Sequence, residues 1–393
     1  MSSLPIDIMA DLLSRLPVTT LLQLRCVSKC WRSLIDSPNF IKMHLHRSKG
    51  NTACHSLVFN SNKLYSSELD SLNFLMELNH PLKNFGTTTV MGSCNGLLLL
   101  ANKDKGVYLW NMSTRKHHKL PDTSAQSSPY PQYLRYMSYG FGYDSNLDDY
   151  KVVRIVQFYY EECDSFSSEV KVYSLKSNSW RTVQQLPYYL CFTCQWGAYA
   201  CGALHWAVKQ RRDPDMPILV VAFDIGTEEY RLLSQPEYLI EDFDMGLEVL
   251  GGCICITCSY DTNIDIWVMK DYGVNGSWTK FLVVIPPRAP IREYMKPLAY
   301  SKGGEEILLN CDGERFFWYD LALKTFKEAT ICGSPFSDYV PYSYYVVVYI
   351  GSLVPVADFG EIDHGNQHGQ EKKQQKNRRE RDDFLSEGFK LVL

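Results

Sequence analysis

Two Cys-x-x-Cys pairs, Cys191/Cys194 and Cys255/Cys258, have the residue types and spacing of a four-thiolate zinc site. Each pair lies in an apolar stretch that reads as a strand. There, alternation sends positions i and i+3 to opposite faces, so neither pair closes on one ion. No helix follows either pair, which removes a thioredoxin-like reading as well. Asp144, Asp148 and Asp149 crowd one turn, but the D-x-[DN]-x-[DN]-G spacing of a calcium loop is missing, and they read as turn carboxylates. His44 and His46 sit on different faces of a helix and make no metal pair. His205, beside Trp206 in an apolar strand, reads as packed core, and His117 stands where sister segments carry an aromatic. His55, His80 and His118 are isolated. No convergent acid, base and nucleophile emerges, so no catalytic, cofactor or metal site is expected.

The elements that position these residues fall into two kinds. Residues 4–40 carry a helical period. Leu4-Pro5 starts a helix with proline at its first position and Ser2 or Ser3 as cap, and Ile8, Met9, Leu12, Leu13 and Leu16 form its apolar stripe. Pro17 closes it. A second helix, capped by Thr19 or Thr20, carries Leu21, Leu22 and Leu24; a third, capped by Ser28, carries Trp31, Leu34 and Ile35. Ser37-Pro38 starts a short fourth, and Arg47–Gly50 reads as a linker. So few residues cannot bury all of that apolar surface among themselves, and some of it should meet a partner.

From His55 the pattern changes to short strands and repeats. Each unit is an apolar strand ending in an aromatic and usually a small polar residue, a turn, and a second aromatic seven residues on. The first aromatics are Trp110, Tyr173, Phe223, Trp267 and Tyr319, which lie 63, 50, 44 and 52 residues apart, with a weaker copy at Val58-Phe59-Asn60. The second positions are His117, Trp180, Tyr230 and Phe326. In the fourth copy an insertion within Asp271–Gly276 delays it to Trp278. A glycine-led strand precedes most copies, at Gly96, Gly202, Gly251-Gly252 and Gly303-Gly304. A period near 50 of this kind matches a four-stranded, kelch-like propeller blade. The hairpin formed by Gly140–Asp144 and Asp149–Arg154 reads as an insertion that lengthens the first interval, and Tyr344–Ile350 as a strand closing the β-domain on its own start.

Bulk numbers agree with a helical cap on an all-β body. Of 393 residues, 45% are hydrophobic and 21% charged, enough to fill a core, and 26 tyrosines with 8 tryptophans favour strands. A net charge of −4 gives no field for nucleic acid. No apolar run approaches the ~20 residues that span a bilayer, and no basic and apolar leader follows Met1. The 13 cysteines are an odd, scattered set, so a reducing compartment is expected, cytoplasmic and/or nuclear. After Asp358 the chain becomes a charged, disordered tail whose basic cluster from Lys372 to Arg381 is a weak nuclear-import pattern.

The first stretch closely resembles an F-box through Leu4-Pro5, Leu12-Leu13, Arg15–Val18, Arg25–Lys29, Trp31-Arg32 and Leu34-Ile35. The body resembles the F-box-associated interaction domain of plant F-box proteins through Gly92–Leu97 with Trp110–Lys116, Tyr139–Asp144 with Asp149–Val153, and Trp267–Gly273 with Ser277–Lys280. Met112, His117 and Thr19-Thr20 depart from the family pattern. The resemblance implies a small all-α F-box of three to four helices at 1–47, a large all-β, kelch-like β-propeller of about six degenerate blades at 48–357, and a tail at 358–393. It further implies a non-catalytic substrate receptor of a Skp–cullin–F-box ubiquitin ligase, in a branch that includes receptors acting in plant defence and self-incompatibility. Such a receptor would bind the Skp-type adaptor through Leu4, Pro5, Ile8, Leu12, Leu13, Leu16 and Pro17, supported by Val27 and Trp31, and an unidentified target through propeller loops. The competing readings are a kelch-type propeller enzyme, an oxidase or hydrolase, and a scaffold that binds a target without ubiquitination.

Overall fold

Four helices open the chain in the computed structural model, which describes residues 5–356 apart from 62, 73, 124–133, 161–164, 192–195, 214, 239–242, 286–294, 312–314 and 330–344. Leu4, the Ser2/Ser3 cap, Cys194 and the charged tail lie outside the described residues. The helices are α1 (Ile6–Leu13), α2 (Val18–Leu24), α3 (Lys29–Ile35) and α4 (Pro38–Lys49). Two of the expected caps form: Ser28 Oγ accepts the Trp31 N–H at 3.2 Å, and Ser37 Oγ accepts that of Phe40 at 3.4 Å. The other two helices begin differently. Pro5 and Pro17 are themselves the N-cap residues, with ψ of 142° and 149°, and Thr19 and Thr20 lie inside α2. Proline's fixed φ suits that extended cap conformation, so no hydroxyl is needed there.

Leu13, Val18, Leu21, Ile35 and Phe40 form the core of this helical module, joined by Leu353 from the far end of the chain. The expected linker at Arg47–Gly50 is instead the final turn and C-cap of α4, and it anchors the module. Arg47 Nη1 donates to the Asp11 carbonyl at 2.9 Å and to Ser14 Oγ, while Nη2 pairs with the Asp11 carboxylate. Those bonds clamp the last turn of α4 against α1.

The body is a succession of antiparallel meanders. The first contains β1 (His55–Asn60), β2 (Leu64–Glu68) and β3 (Met76–Glu77). The second contains β4 (Thr88–Cys94), β5 (Leu97–Asn102), β6 (Gly106–Trp110) and β7 (His117–Lys119). The third is β8 (Leu134–Asp144), β9 (Asp149–Tyr160), β10 (Ser165–Ser174) and β11 (Ser179–Thr182). After the short β12 (Tyr189–Leu190) comes the fourth: β13 (Trp196–Ala200), β14 (Ala203–Lys209), β15 (Leu219–Asp224) and β16 (Tyr230–Leu233). The fifth is β17 (Asp244–Leu250), β18 (Cys253–Ser259), β19 (Ile264–Met269) and β20 (Trp278–Val284). The sixth is β21 (Met295–Tyr300), β22 (Glu306–Cys311), β23 (Arg315–Asp320) and β24 (Phe326–Glu328). β25 (Tyr345–Ile350) then returns to pair with β1, from His55↔Ile350 to Asn60↔Tyr345, and supplies the first meander's missing inner strand. Inner strands pack in sequence around a closed ring, β25 on β4, β8, β13, β17, β21 and back to β25. That is a β-propeller closed by its last strand, as expected.

The expectation of about six degenerate blades needs one refinement. Among the described residues, hydrogen bonding leaves four separate four-stranded sheets and fuses the third and fourth meanders into one nine-stranded sheet. The bridge is a parallel contact, Trp196↔Tyr139 and Gly197↔Gly140. Glycine is what permits it: a Cβ on Gly140 would lie 2.7 Å from Leu204 Cδ1, and one on Gly197 2.5 Å from Trp206 Cζ2. Trp206 lies buried over both, its indole N–H bonded to Ser138 Oγ at 3.0 Å.

The aromatic repeat is a cross-strand contact. Trp110 faces His117, Tyr173 faces Trp180, Phe223 faces Tyr230 and Tyr319 faces Phe326 in register. Between each pair, Arg115, Asn178, Glu228 and Lys324 take positive φ at the same turn position. The small polar residue after the aromatic explains itself here: Asn111, Asp224 and Asp320 each accept two turn N–H groups on their Oδ1. Three expectations are corrected. In the fifth meander a bulge at Ile266/Trp267 shifts the register, so Trp278 faces Met269 while Trp267 faces Lys280. Phe59 lies on β1, the second strand of its sheet, because the first strand comes from the chain's end. The hairpin at Gly140–Arg154 is no insertion but belongs to β8 and β9, the two inner strands of the third meander.

Candidate functional site

The apolar stripe of α1 is two neighbouring rows, and only one of them is buried. Met9 and Leu13, four residues apart, enter the helical core with Leu16. Ile8 and Leu12, the adjacent row, stay 49% and 54% exposed. Val27, in the turn after α2, is 63% exposed, and Pro5 and Pro17 are exposed too. Leu16 and Trp31 are half-buried against the core. Leu13, at 5% exposure, lies in the helical core and not on the outward face. Leu4 lies outside the described residues. Ile6, 56% exposed beside Pro5, extends the outward face ahead of the stripe that begins at Ile8. Leaving such side chains half in water forfeits roughly 1 kcal/mol each, stabilisation that a covering partner would supply.

Ion pairs rim this part of the module, each carboxylate shared by two arginines, which leaves the rim net positive. Asp11 lies between Arg15 and Arg47, and the Arg47 hydrogen bond holds its carboxyl below the ordinary range. Arg25 and Arg32 both reach Asp36, at 2.7 and 3.7 Å. His44 is buried, its Nε2 3.1 Å from the Leu16 carbonyl, and burial lowers its pKa. Donation from Nε2 to that carbonyl ties α4 to the turn after α1.

In the propeller, the residues that suggested chemistry are committed to packing. Cys255 and Cys258 point to opposite faces of their sheet, one into the core shared with the sixth meander and one into the core shared with the fourth. Burial pushes the Cys258 thiol up to about 12 and that of Cys191 up to about 11. His205 is fully buried, with Nδ1 3.0 Å from the Ala198 carbonyl and Nε2 2.8 Å from the Tyr272 hydroxyl. Burial pushes its pKa down to about 4, so it is neutral, donating from Nδ1 and accepting on Nε2. His117 sits against Tyr108, with ring centroids 6.1 Å apart. Among the described residues no group of three or more His, Cys, Asp or Glu is disposed to hold a metal. No helix among them is long and apolar enough to cross a membrane.

The turn carboxylates hold the propeller together. Asp144 Oδ1 caps its own turn, while Oδ2 lies 2.9 Å from Lys151 Nζ. Lys151 also reaches Glu228 at 3.1 Å and the Ile225 carbonyl at 2.8 Å, a buried network joining the third and fourth meanders. Burial would raise the Asp144 carboxyl, but hydrogen bonds from Lys151 and the Leu147 amide carry it below its ordinary range. Asp148 receives Lys42 of α4 at 2.7 Å, and Asp149 binds the Lys176 amide at 3.0 Å.

Comparison with known proteins covers both parts of the chain. A family model described as an F-box domain matches residues 1–43, and one described as an F-box associated beta propeller domain matches residues 51–356. F-box protein CPR1 of Arabidopsis thaliana is 38% identical over 418 residues, covering 100% of both chains. A second A. thaliana F-box protein is 34% identical, again over 100% of both. An F-box/kelch-repeat protein of the same plant is 28% identical, over 80% of this chain and 90% of its own. The chain belongs to the family of F-box proteins with an F-box-associated β-propeller domain.

Proposed function

We propose that the chain is the substrate-recognition subunit of a Skp–cullin–F-box ubiquitin ligase, acting in the cytoplasm or nucleus. The single observation that carries this reading is the outward row of α1. Ile8 and Leu12, with Ile6 and Val27, expose large apolar side chains although the module has a complete core without them. Exposed apolar surface grouped on one small module marks a protein-docking site. Pro5, Ile8, Leu12, Pro17 and Val27 meet the Skp-type adaptor in this account, with Leu16 and Trp31 shaping the face from beneath. The propeller presents its inter-strand loops to the target protein. Catalysis then belongs to the assembly, which raises the effective concentration of charged conjugating enzyme at the target's lysines. The receptor's own histidines and cysteines are free to serve as core, and His205, Cys255 and Cys258 do so.

The test is co-purification of a Skp-type adaptor with the full chain carrying Ile8→Asp and Leu12→Asp. Both side chains lie outside the core, so folding should survive while binding drops by about 2 kcal/mol or more, at least roughly thirtyfold. Undiminished adaptor binding by a folded double variant overturns the assignment.

A further inference from the structure

Leu353 lies beyond the last strand of the propeller yet is 7% exposed, inside the helical core among Leu13, Val18, Leu21, Ile35 and Phe40. Residues Ser352–Val356 form a strap running on from the end of β25. Val354 and Val356 turn the other way, into the core shared by the second and third meanders with Met91, Leu99 and Phe141. Alternation along extended chain makes this division natural, one side chain for the helices and its neighbours for the propeller. The strap's main chain is held by one buried side chain. Asn111 Nδ2 donates to the Ser352 and Val354 carbonyls at 3.1 and 2.8 Å, and its Oδ1 accepts from the Tyr349 hydroxyl at 3.1 Å. Gly96, with φ +80°, keeps the path open, since a Cβ there would lie 2.2 Å from Ser352 Oγ. From the helical side, Ile41 and Leu45 of α4 pack on the same second-to-third core, and Lys42 pairs with Asp148.

We propose that Leu353 is a positioning residue: it locks the helical module onto the propeller in one orientation and so fixes which lysines a docked ligase can reach. This rests on the receptor reading above. A receptor that works by proximity is only as effective as its geometry is fixed, and a module free to swing would spread the effective concentration over a larger volume.

The test compares wild type, Leu353→Ser, Leu353→Met and Asn111→Ala in the full chain. Asn111→Ala releases the strap from the propeller without touching the helical core, so it stands in if Leu353→Ser fails to fold. The first measurement needs no ligase: the distance distribution between dyes carried on bioorthogonal residues at Arg15 and Lys302. Wild type and Leu353→Met should give one narrow peak, and Leu353→Ser and Asn111→Ala a peak broadened about twofold or more. The second maps the receptor's own lysines modified in a reconstituted reaction with adaptor, cullin–RING and charged conjugating enzyme. Wild type and Leu353→Met should show a restricted set, and the loosened variants a wider one. A narrow distribution in both loosened variants, or a broad one with an unchanged lysine set, overturns the proposal. Failure of wild type to bind the adaptor instead sinks the receptor reading, and the dye measurement still judges Leu353.

Discussion

The helical module and the propeller handle apolar surface in opposite ways. In the propeller, alternation sends side chains to both faces of a sheet, and each face meets another sheet. Thus β18 buries Ile254 and Ile256 toward the fourth meander and Cys255 toward the sixth. In α1, a 100° turn per residue separates two neighbouring apolar rows, and only one finds a core. A ring of sheets has mates on every side, whereas a small bundle has an outside. Ile6, Ile8, Leu12 and Val27, left exposed on a bundle whose core is already filled, therefore mark its unpartnered side.

That contrast can be broken most forcefully where the propeller is most tightly mated. Trp206→Ala, which removes the ring lying over Gly140 and Gly197, should destabilise the chain by about 4 kcal/mol in urea unfolding. Lys151→Ala, which leaves the buried Asp144 carboxylate without its cation, should cost about 3 kcal/mol by the same measurement, and less at acid pH where the Asp144 carboxyl protonates.

The buried His205 gives a pH dependence with a defined sign. Its folded pKa is near 4 against an ordinary 6.5, so between those values the unfolded chain binds a proton that the fold refuses. Stability from this group is complete above about pH 6.5 and falls by about 3 kcal/mol as pH drops to about 4. Urea midpoints of His205→Gln against wild type should converge over that window. Parallel curves would mean that the imidazole charges in place.

Smaller effects belong to the helices. Ser28→Ala should cost about 1 kcal/mol by removing the N-cap of α3, visible as a lower melting temperature. Ile8→Ser with Leu12→Ser should move stability by less than about 0.5 kcal/mol, because neither side chain supports the core. A large loss there would erase the distinction between the two rows.

What the sequence shows of this fold follows from range. The aromatic positions seven residues apart are legible because a hairpin pairs near neighbours: Phe223 and Tyr230 meet across one turn. The two-residue turns at Asn95-Gly96 and Gly251-Gly252 are legible because positive φ favours Asn and Gly. The fourth copy misleads because Trp267 looks like the repeat's aromatic, while the bulge beside it leaves Met269 facing Trp278. The closing strand at Tyr344–Ile350 is legible as a β-branched and aromatic run, but its place as the inner strand is not, so Phe59 falls on the second strand of its sheet, β1, where the repeat would put it on the third. In the candidate site, the stripe of α1 is plain, but hydrophobicity alone gives Ile8 and Met9 the same weight. Only packing by the other helices, and by Leu353 from the chain's end, decides which row is core.

The adaptor is proposed to dock on the outward face of the helical module. Amide hydrogen exchange of the full chain with and without a Skp-type adaptor tests it most directly. New protection is expected over Pro5–Leu12 and around Val27, with exchange in β14 and β18 unchanged. Protection confined to the propeller, or none on α1 at saturating adaptor, would contradict it.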